Sequence, residues 1–183
     1  DSFEYTQFLV RNLNRIEKSQ LELLLIGLGD KKSKNQFCNY TKLPPKYLQV
    51  LNGKGLHKKL SLDEGISLPI NPIINLLIMC IGIKSPGTLN EVLRGYCGDS
   101  KSMNFFDDQD LICFTKYISF KAHLFSTLGK EGCLRPFELA SLRLMNMIEV
   151  ISKWNIYMLN SSCLTQRGAT FLLDSDQNLI YSY

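Results

Sequence analysis

The chain has 183 residues, 45% hydrophobic and 21% charged, which is ordinary globular usage and excludes a mainly disordered chain. Its formal charge is +4, from 21 Lys and Arg against 17 Asp and Glu, too mild a balance to argue for nucleic acid. The six cysteines, Cys38, Cys80, Cys97, Cys113, Cys133 and Cys163, never approach C-x-x-C spacing, which excludes a zinc ribbon and a thioredoxin-type redox pair.

Phe3 to Lys18 reads as one amphipathic helix, with Phe8, Leu9, Leu13 and Ile16 at helical spacing and Ser2 or Asp1 as its cap. Leu21 to Ile26 is a short apolar run of the kind that forms a buried parallel strand. Residues 31 to 41 fit a second helix, stopped by Leu43-Pro44-Pro45, and Tyr47 to Leu51 a second strand. After a turn at 52–55, Leu56 to Leu60 begins another short helix, so the front end alternates helix and strand as α/β folds do.

Pro72 to Ile81 is a helix capped by Asn71, lying in the apolar run Ile73 to Ile83. That run is too short to span a bilayer and is read as a buried helix, since an interfacial membrane helix needs a basic polar face that the run itself lacks. Thr88 to Tyr96 is a helix capped by Thr88 or Ser85, residues 105–130 fit strand or helix equally, and Pro136 to Trp154 carries a broad apolar helical face. Ala169 to Asp174 and Leu179 to Tyr183 form a hairpin, with Phe171 to Leu173 expected to be buried on both faces. The acidic, aromatic first residues do not read as a secretory leader. Scattered cysteines without dense spacing point to a reducing, cytoplasmic setting with most thiols buried.

The words Leu21–Asp30, Gln36-Phe37-Cys38, Leu43-Pro44 and Gly55-Leu56-His57-Lys58 resemble the peroxiredoxin-like AhpC/TSA proteins, the alkyl hydroperoxide reductase and thiol-specific antioxidant relatives. Asn75–Cys80, Ser85–Thr88, Leu93–Tyr96, Gly98-Asp99, Arg135–Leu139 and Thr165–Gly168 resemble the branch found in photosynthetic bacteria. The resemblance implies one α/β domain with a thioredoxin-like sheet flanked by helices: core 1–61 and 166–183, interrupted by a mainly helical insertion at 62–165. It also implies, in active members, a thiol peroxidase whose cysteine sits at a helix N-terminus, where the helix dipole and an arginine favour the thiolate. The helix that resembles that one is Phe3 to Lys18; no cysteine precedes Cys38, and Ser2 or a neighbour stands in the expected place. Arg167 matches the position of the family's peroxide-site arginine.

Three residues are therefore candidates. Cys38 is either a displaced redox thiol or a buried helix cysteine. Cys133, before Arg135 and the helix start at Pro136, has the two neighbours a reactive thiol needs, or else packs under its loop. Arg167 either anchors an anion or thiol, or pairs with Asp174 or Glu138. No metal or cofactor is expected: His57 and His123 lack ligands at metal spacing, Asp107, Asp108 and Asp110 lack the EF-hand glycine, and Gly27-x-Gly29 lacks the third glycine of a dinucleotide loop. The expected partner is a thiol reductant or a protein, without nucleic acid and without a transmembrane segment. The readings carried forward are a peroxiredoxin-like thiol antioxidant and a non-catalytic thioredoxin-fold binding module.

Overall fold

The computed structural model describes residues 2–66, 68–80, 83, 87–115, 117–130, 132–159 and 163–183. The first amphipathic stretch forms two helices, α1 (Ser2–Arg11) and α2 (Leu13–Lys18). The break falls at Asn12, whose side-chain amide donates to the Phe8 carbonyl at 2.9 Å, in competition with the helical ladder.

Strand β1 (Leu25–Leu28) pairs in parallel with β2 (Leu48–Leu51), in the register Leu25 opposite Leu48 through Leu28 opposite Leu51. The crossover is α3 (Lys31–Thr41) and a single 3₁₀ turn at Pro45–Tyr47. The strand begins four residues later than its apolar run because pairing, not hydrophobicity, defines it; Leu21 and Leu24 precede the ladder and stay exposed. The bounds of α3 are set by local chemistry. Asp30 accepts the Ser33 N–H at 2.7 Å while its own N–H donates to Ser33 Oγ at 2.8 Å, a capping box, and Lys42 turns left-handed (φ 62°) at the far end.

After β2 come α4 (Gly55–Lys59), α5 (Pro72–Cys80) and α6 (Thr88–Cys97). Asn71 caps α5 as expected, accepting the Ile73 N–H at 2.9 Å. The helix is nonetheless not buried, and it packs inside out. Among its described side chains Asn75 is the buried one, whereas Ile73, Ile74 and Leu77 are exposed, at 45%, 46% and 57%. The ambiguous 105–130 stretch resolves into an antiparallel hairpin, β3 (Leu111–Cys113) with β4 (Ser119–Lys121), followed by the short α7 (His123–Ser126). Two helices then close the helical part, α8 (Glu138–Ser152) and α9 (Trp154–Tyr157).

The chain ends in the antiparallel hairpin β5 (Phe171–Leu173) and β6 (Leu179–Ser182). The expectation that this hairpin is buried is corrected: all seven of its strand residues are exposed, because among the described residues β5 and β6 pair only with each other. One contact to α1, Thr170 Oγ1 donating to the Tyr5 hydroxyl at 3.3 Å, ties it back.

The expected α/β class holds, in the form of three two-stranded sheets among helices. Apolar packing is likewise divided into clusters: Cys38 with Leu43 and Leu48, Ile112 with Ala122 and Phe125, and Leu134 with Leu139 and Leu142. Between them run polar joints. Helix α1 meets α3 and α9 through Phe3, whose ring lies edge-on to Phe37, Tyr40 and Tyr157 at 4.8, 5.7 and 5.3 Å. It meets α8 through Gln7 and Asn146, which exchange amide hydrogen bonds at 3.1 and 3.0 Å, and through Glu4, which accepts from Arg143 at 2.7 and 3.1 Å.

Candidate functional site

Cys38 lies on the inner face of α3, 4% exposed, packed against Leu43, Leu48, Val10 and Leu25. Burial pushes its thiol pKa up, and the nearby Lys34 charge only partly opposes this. A thiol so placed stays protonated and serves the core as a small apolar side chain.

Cys133 has a different setting. Its N–H donates to the Lys130 carbonyl at 3.3 Å and its thiol to the Ser100 carbonyl at 3.3 Å. The next residue, Leu134, bridges Asp99, whose N–H donates to the Leu134 carbonyl at 2.8 Å, and Leu134 N–H donates in turn to the Ser102 carbonyl at 2.8 Å. Residues 100–133 thus form a loop closed at a narrow neck, with Cys133 half-buried on its rim. Gly98 makes the neck possible: at φ +77° it passes so close to the other arm that a Cβ there would lie 2.6 Å from the Leu134 carbonyl oxygen.

The arginine expected to assist Cys133 is committed elsewhere. Arg135 is 2% exposed and its guanidinium is fully partnered. Nε donates to Glu138 Oε2 at 3.0 Å, one terminal nitrogen to Asp108 Oδ1 and to Ser126 Oγ (2.6 Å), and the other to the Phe106 carbonyl at 2.7 Å. Glu138, wholly buried, also accepts the Phe105 and Phe106 N–H groups at 2.6 and 2.7 Å. Burial disfavours the Arg135 charge, but Glu138 and Asp108 outweigh it and hold the guanidinium pKa above its usual value. Ser126 and Arg135 hold the Asp108 carboxyl below its usual pKa. Two carboxylates around one cation leave no net positive field for a thiolate, so this network locks the loop onto the start of α8. The sequence reading missed it. Its signal was present in Arg135-Pro-Phe-Glu138, two opposite charges three residues apart where an apolar helix begins.

Arg167 is half-buried and partnered, on a segment laid against residues 63–65. Its N–H donates to the Asp63 carbonyl at 3.0 Å, Gln166 Nε2 donates to the same carbonyl at 2.9 Å, and Thr165 Oγ1 donates to the Glu64 carbonyl at 3.0 Å. Of the two acids considered as its partner, Glu138 is held by Arg135, and Asp174 accepts the N–H groups of Asp176 and Asn178 in the hairpin turn. Cys38, Cys133 and Arg167 are therefore held by three separate sets of contacts.

The expectation that most thiols are buried is corrected. Cys97 and Cys113 are exposed, Cys133 and Cys163 are half-buried, and the Cys80 side chain lies outside the described residues. At the first turn of α1, where the resemblance places a reactive cysteine, stand Ser2 and Glu4, and the nearby arginine, Arg143, is bound by Glu4 and Glu91. Asp107, Asp108 and Asp110 form an acidic turn, with the Asp107 N–H donating to Asp110 Oδ2 at 2.8 Å. No group of three His, Cys, Asp or Glu side chains able to hold a metal occurs among the described residues. His57 keeps a buried Nδ1 without a partner, and burial, then the Lys54 charge, pushes its pKa down. No described helix is long and apolar enough to cross a membrane.

No curated protein and no solved structure matches the chain. A family model does, that of the AhpC/TSA antioxidant enzyme, over residues 8–183, a span that takes in both parallel strands, the 100–133 loop and the terminal hairpin. With helices around small sheets, and that match across nearly its whole length, the chain belongs to the AhpC/TSA antioxidant enzyme family.

Proposed function

We propose that the protein is a peroxiredoxin-like thiol antioxidant that reduces peroxides, with Cys133 as the reacting sulfur. One observation carries the choice of residue: Cys133 is a half-exposed thiol fixed by backbone contacts on both sides, whereas Cys38 is buried with a raised pKa. In the reaction the Cys133 thiolate attacks one peroxide oxygen and the O–O bond breaks. The other oxygen leaves as alcohol or water after taking up a proton, and the sulfur becomes a sulfenic acid. A thiol reductant then condenses with the sulfenic acid, releasing water and forming a disulfide, and a second equivalent of thiol returns Cys133 to its reduced form. Arg167, held by its own set of contacts on residues 63–65, keeps the role of polar anchor in this reading by family resemblance, and no cofactor enters it. The chemistry requires a reducing compartment, for which we propose the cytoplasm. We further propose that residues 1–61 and 166–183 are the core of one domain and 62–165 its insertion, of the branch found in photosynthetic bacteria.

A second reading, a non-catalytic binding module on the same fold, is favoured by one specific observation: the first turn of α1 carries Ser2 where the chemistry wants a thiol, and a serine hydroxyl is too hard to ionise to replace one. Peroxide consumption by the purified chain with dithiothreitol separates the two. The antioxidant reading expects turnover in the wild type and its loss in Cys133→Ser, with Cys38→Ser retaining turnover per folded molecule. Absence of turnover in the wild type removes the enzyme and leaves the binding module.

A further inference from the structure

Two half-built sheets stand apart in this fold. In the terminal hairpin Leu172, Leu173, Leu179, Ile180 and Tyr181 are 40–62% exposed. A lone two-stranded hairpin is marginal in water and gains its stability from further strands. The parallel pair β1–β2 is also two strands only, with Ile26 of β1 42% exposed, whereas parallel strands occur in sheets covered on both faces. Strands β1 and β6 are four residues each, and neither holds the charged side chain or proline that guards an open edge. Among the described residues no backbone hydrogen bond leaves the outer edge of either strand.

Charge says how the two edges meet. The hairpin segment 168–183 holds two charges, Asp174 and Asp176, both at its turn and neither with a cationic partner among the described residues. Residues 31–62 hold eight lysines and no Asp or Glu. Lys31, Lys32 and Lys34 open α3, directly after β1, and Lys54, Lys58 and Lys59 border or lie in α4, directly after β2. Gly29 N–H donates to the Leu51 carbonyl at 3.0 Å, which sets the two exits side by side. None of these six lysines has an acidic partner among the described residues. Strand β6 laid antiparallel on β1 brings the acidic turn to this basic end; the parallel orientation puts it at the other. Within one chain the hairpin is held at α1 by the Thr170–Tyr5 contact and unpaired with β1, so the edge it meets belongs to a second copy. Exposed area points the same way. The chain leaves 12416 Å² to solvent, against about 9,000 Å² for a folded monomer of this mass. The excess is more than the roughly 1,200–2,000 Å² that a stable pair of proteins buries.

We propose that two copies of the chain exchange their terminal hairpins, β6 of each adding antiparallel to the open edge of β1 in the other, with Asp174 and Asp176 seated among the partner's α3 and α4 lysines. The exchange is reciprocal, so the contact closes at two copies instead of running on into a fibre. The inference does not depend on the peroxide chemistry. It rests on the division into core and insertion proposed above, and completes each core from residues 1–61 of one copy and 166–183 of the other. The test is sedimentation equilibrium of the full chain over a range of concentrations, with amide exchange of the hairpin followed alongside. The expected result is a monomer–dimer equilibrium in which the dilute chain keeps a fast-exchanging hairpin and the concentrated chain protects it. Thr170 and Tyr183 exchange both backbone hydrogen bonds, so at the next pair, Phe171 and Ser182, the Ser182 N–H faces away from β5. Ser182→Pro removes that outward donor without touching the hairpin ladder, and is expected to weaken the dimer by more than about tenfold. Asp176→Lys and Lys32→Glu, both at exposed positions, are each expected to weaken it by about tenfold, and the two together to restore it. Three results overturn the proposal: a monomer at every concentration, a dimer that Ser182→Pro leaves unchanged, or no recovery in the double charge reversal. A monomer whose hairpin is nonetheless protected puts the hairpin on its own β1, which overturns the exchange and leaves the division into core and insertion standing.

Discussion

Arg135 and Glu138 are almost completely withdrawn from water, and what makes this tolerable is that every polar atom of the pair has a partner. Removing one member leaves the other charge buried and uncompensated, which costs far more than losing both. Arg135→Ala is accordingly expected to lower unfolding stability by about 3–5 kcal/mol in urea titrations, well beyond an exposed substitution such as Lys58→Ala. At the neck beside it, Asp99 accepts from Ser102, the Lys101 N–H and Arg94, which together hold its carboxyl pKa at about 2. Its folded pKa lies below the ordinary value near ~3.9, so its contribution is present above that pH and lost as pH falls toward about 2. Acid titration of wild type against Asp99→Asn is expected to show the two converging in that window. Cys133 was legible in the sequence as a cysteine near a helix start. Its nearest arginine was not legible as occupied, because Asp108 and Phe106 are brought in from a distant stretch of chain.

Among the elements, α3 was readable to the residue, since Asp30, Ser33 and the stop before Pro44 act within a few residues of one another. The break at Asn12 was written in the same local terms but hidden under a helical apolar period. Helix α5 and the β5–β6 hairpin misled for a shared reason: an apolar run states that a surface prefers cover, and cover is supplied by elements far along the chain. The joint among α3, α8 and α9 shows the same dependence on distance. Glu149 accepts from Gln36, Tyr157 and Lys153 at 2.8–3.0 Å, while Tyr40 donates to Asn146 at 3.0 Å. Burial, then the Glu149 charge, pushes the Tyr40 phenol up to about 12, and burial with the Glu149 hydrogen bond raises Tyr157 as well. Folded values above the ordinary ~10 mean that these phenols stabilise the fold below that pH and stop doing so as pH rises toward about 12. Melting temperature is expected to drop across that alkaline window, and Tyr157→Phe to blunt the drop.

At the scale of the whole molecule, the apolar interior comes in separate clusters joined by polar contacts, and the terminal hairpin contributes to none of them. Such a chain opens in pieces, with the least covered piece first. Amide hydrogen exchange is expected to be fastest in Phe171–Ser182 and slowest around Leu139 and Leu142 in α8, where side chains are 0% and 4% exposed. Uniform protection across both regions would contradict that order. The α/β class was readable from the alternation of elements at the front of the chain. The division into small sheets was not, because strand pairing between distant segments has no signature in composition.

The neck between Asp99 and Leu134 has a consequence for how this chain tolerates change. The loop it closes returns to its starting point and contains its own hairpin, β3–β4, and its own apolar cluster around Ile112 and Phe125. For a segment whose ends already meet, doubling the length adds only about 0.6 kcal/mol of closure entropy. Extra chain or a sensor domain can therefore be spliced in beside the exposed Tyr117 of the β3–β4 hairpin with the junction geometry already provided by Gly98, whereas Phe106, Asp108 and Ser126 in the same loop must stay, because they partner the buried Arg135.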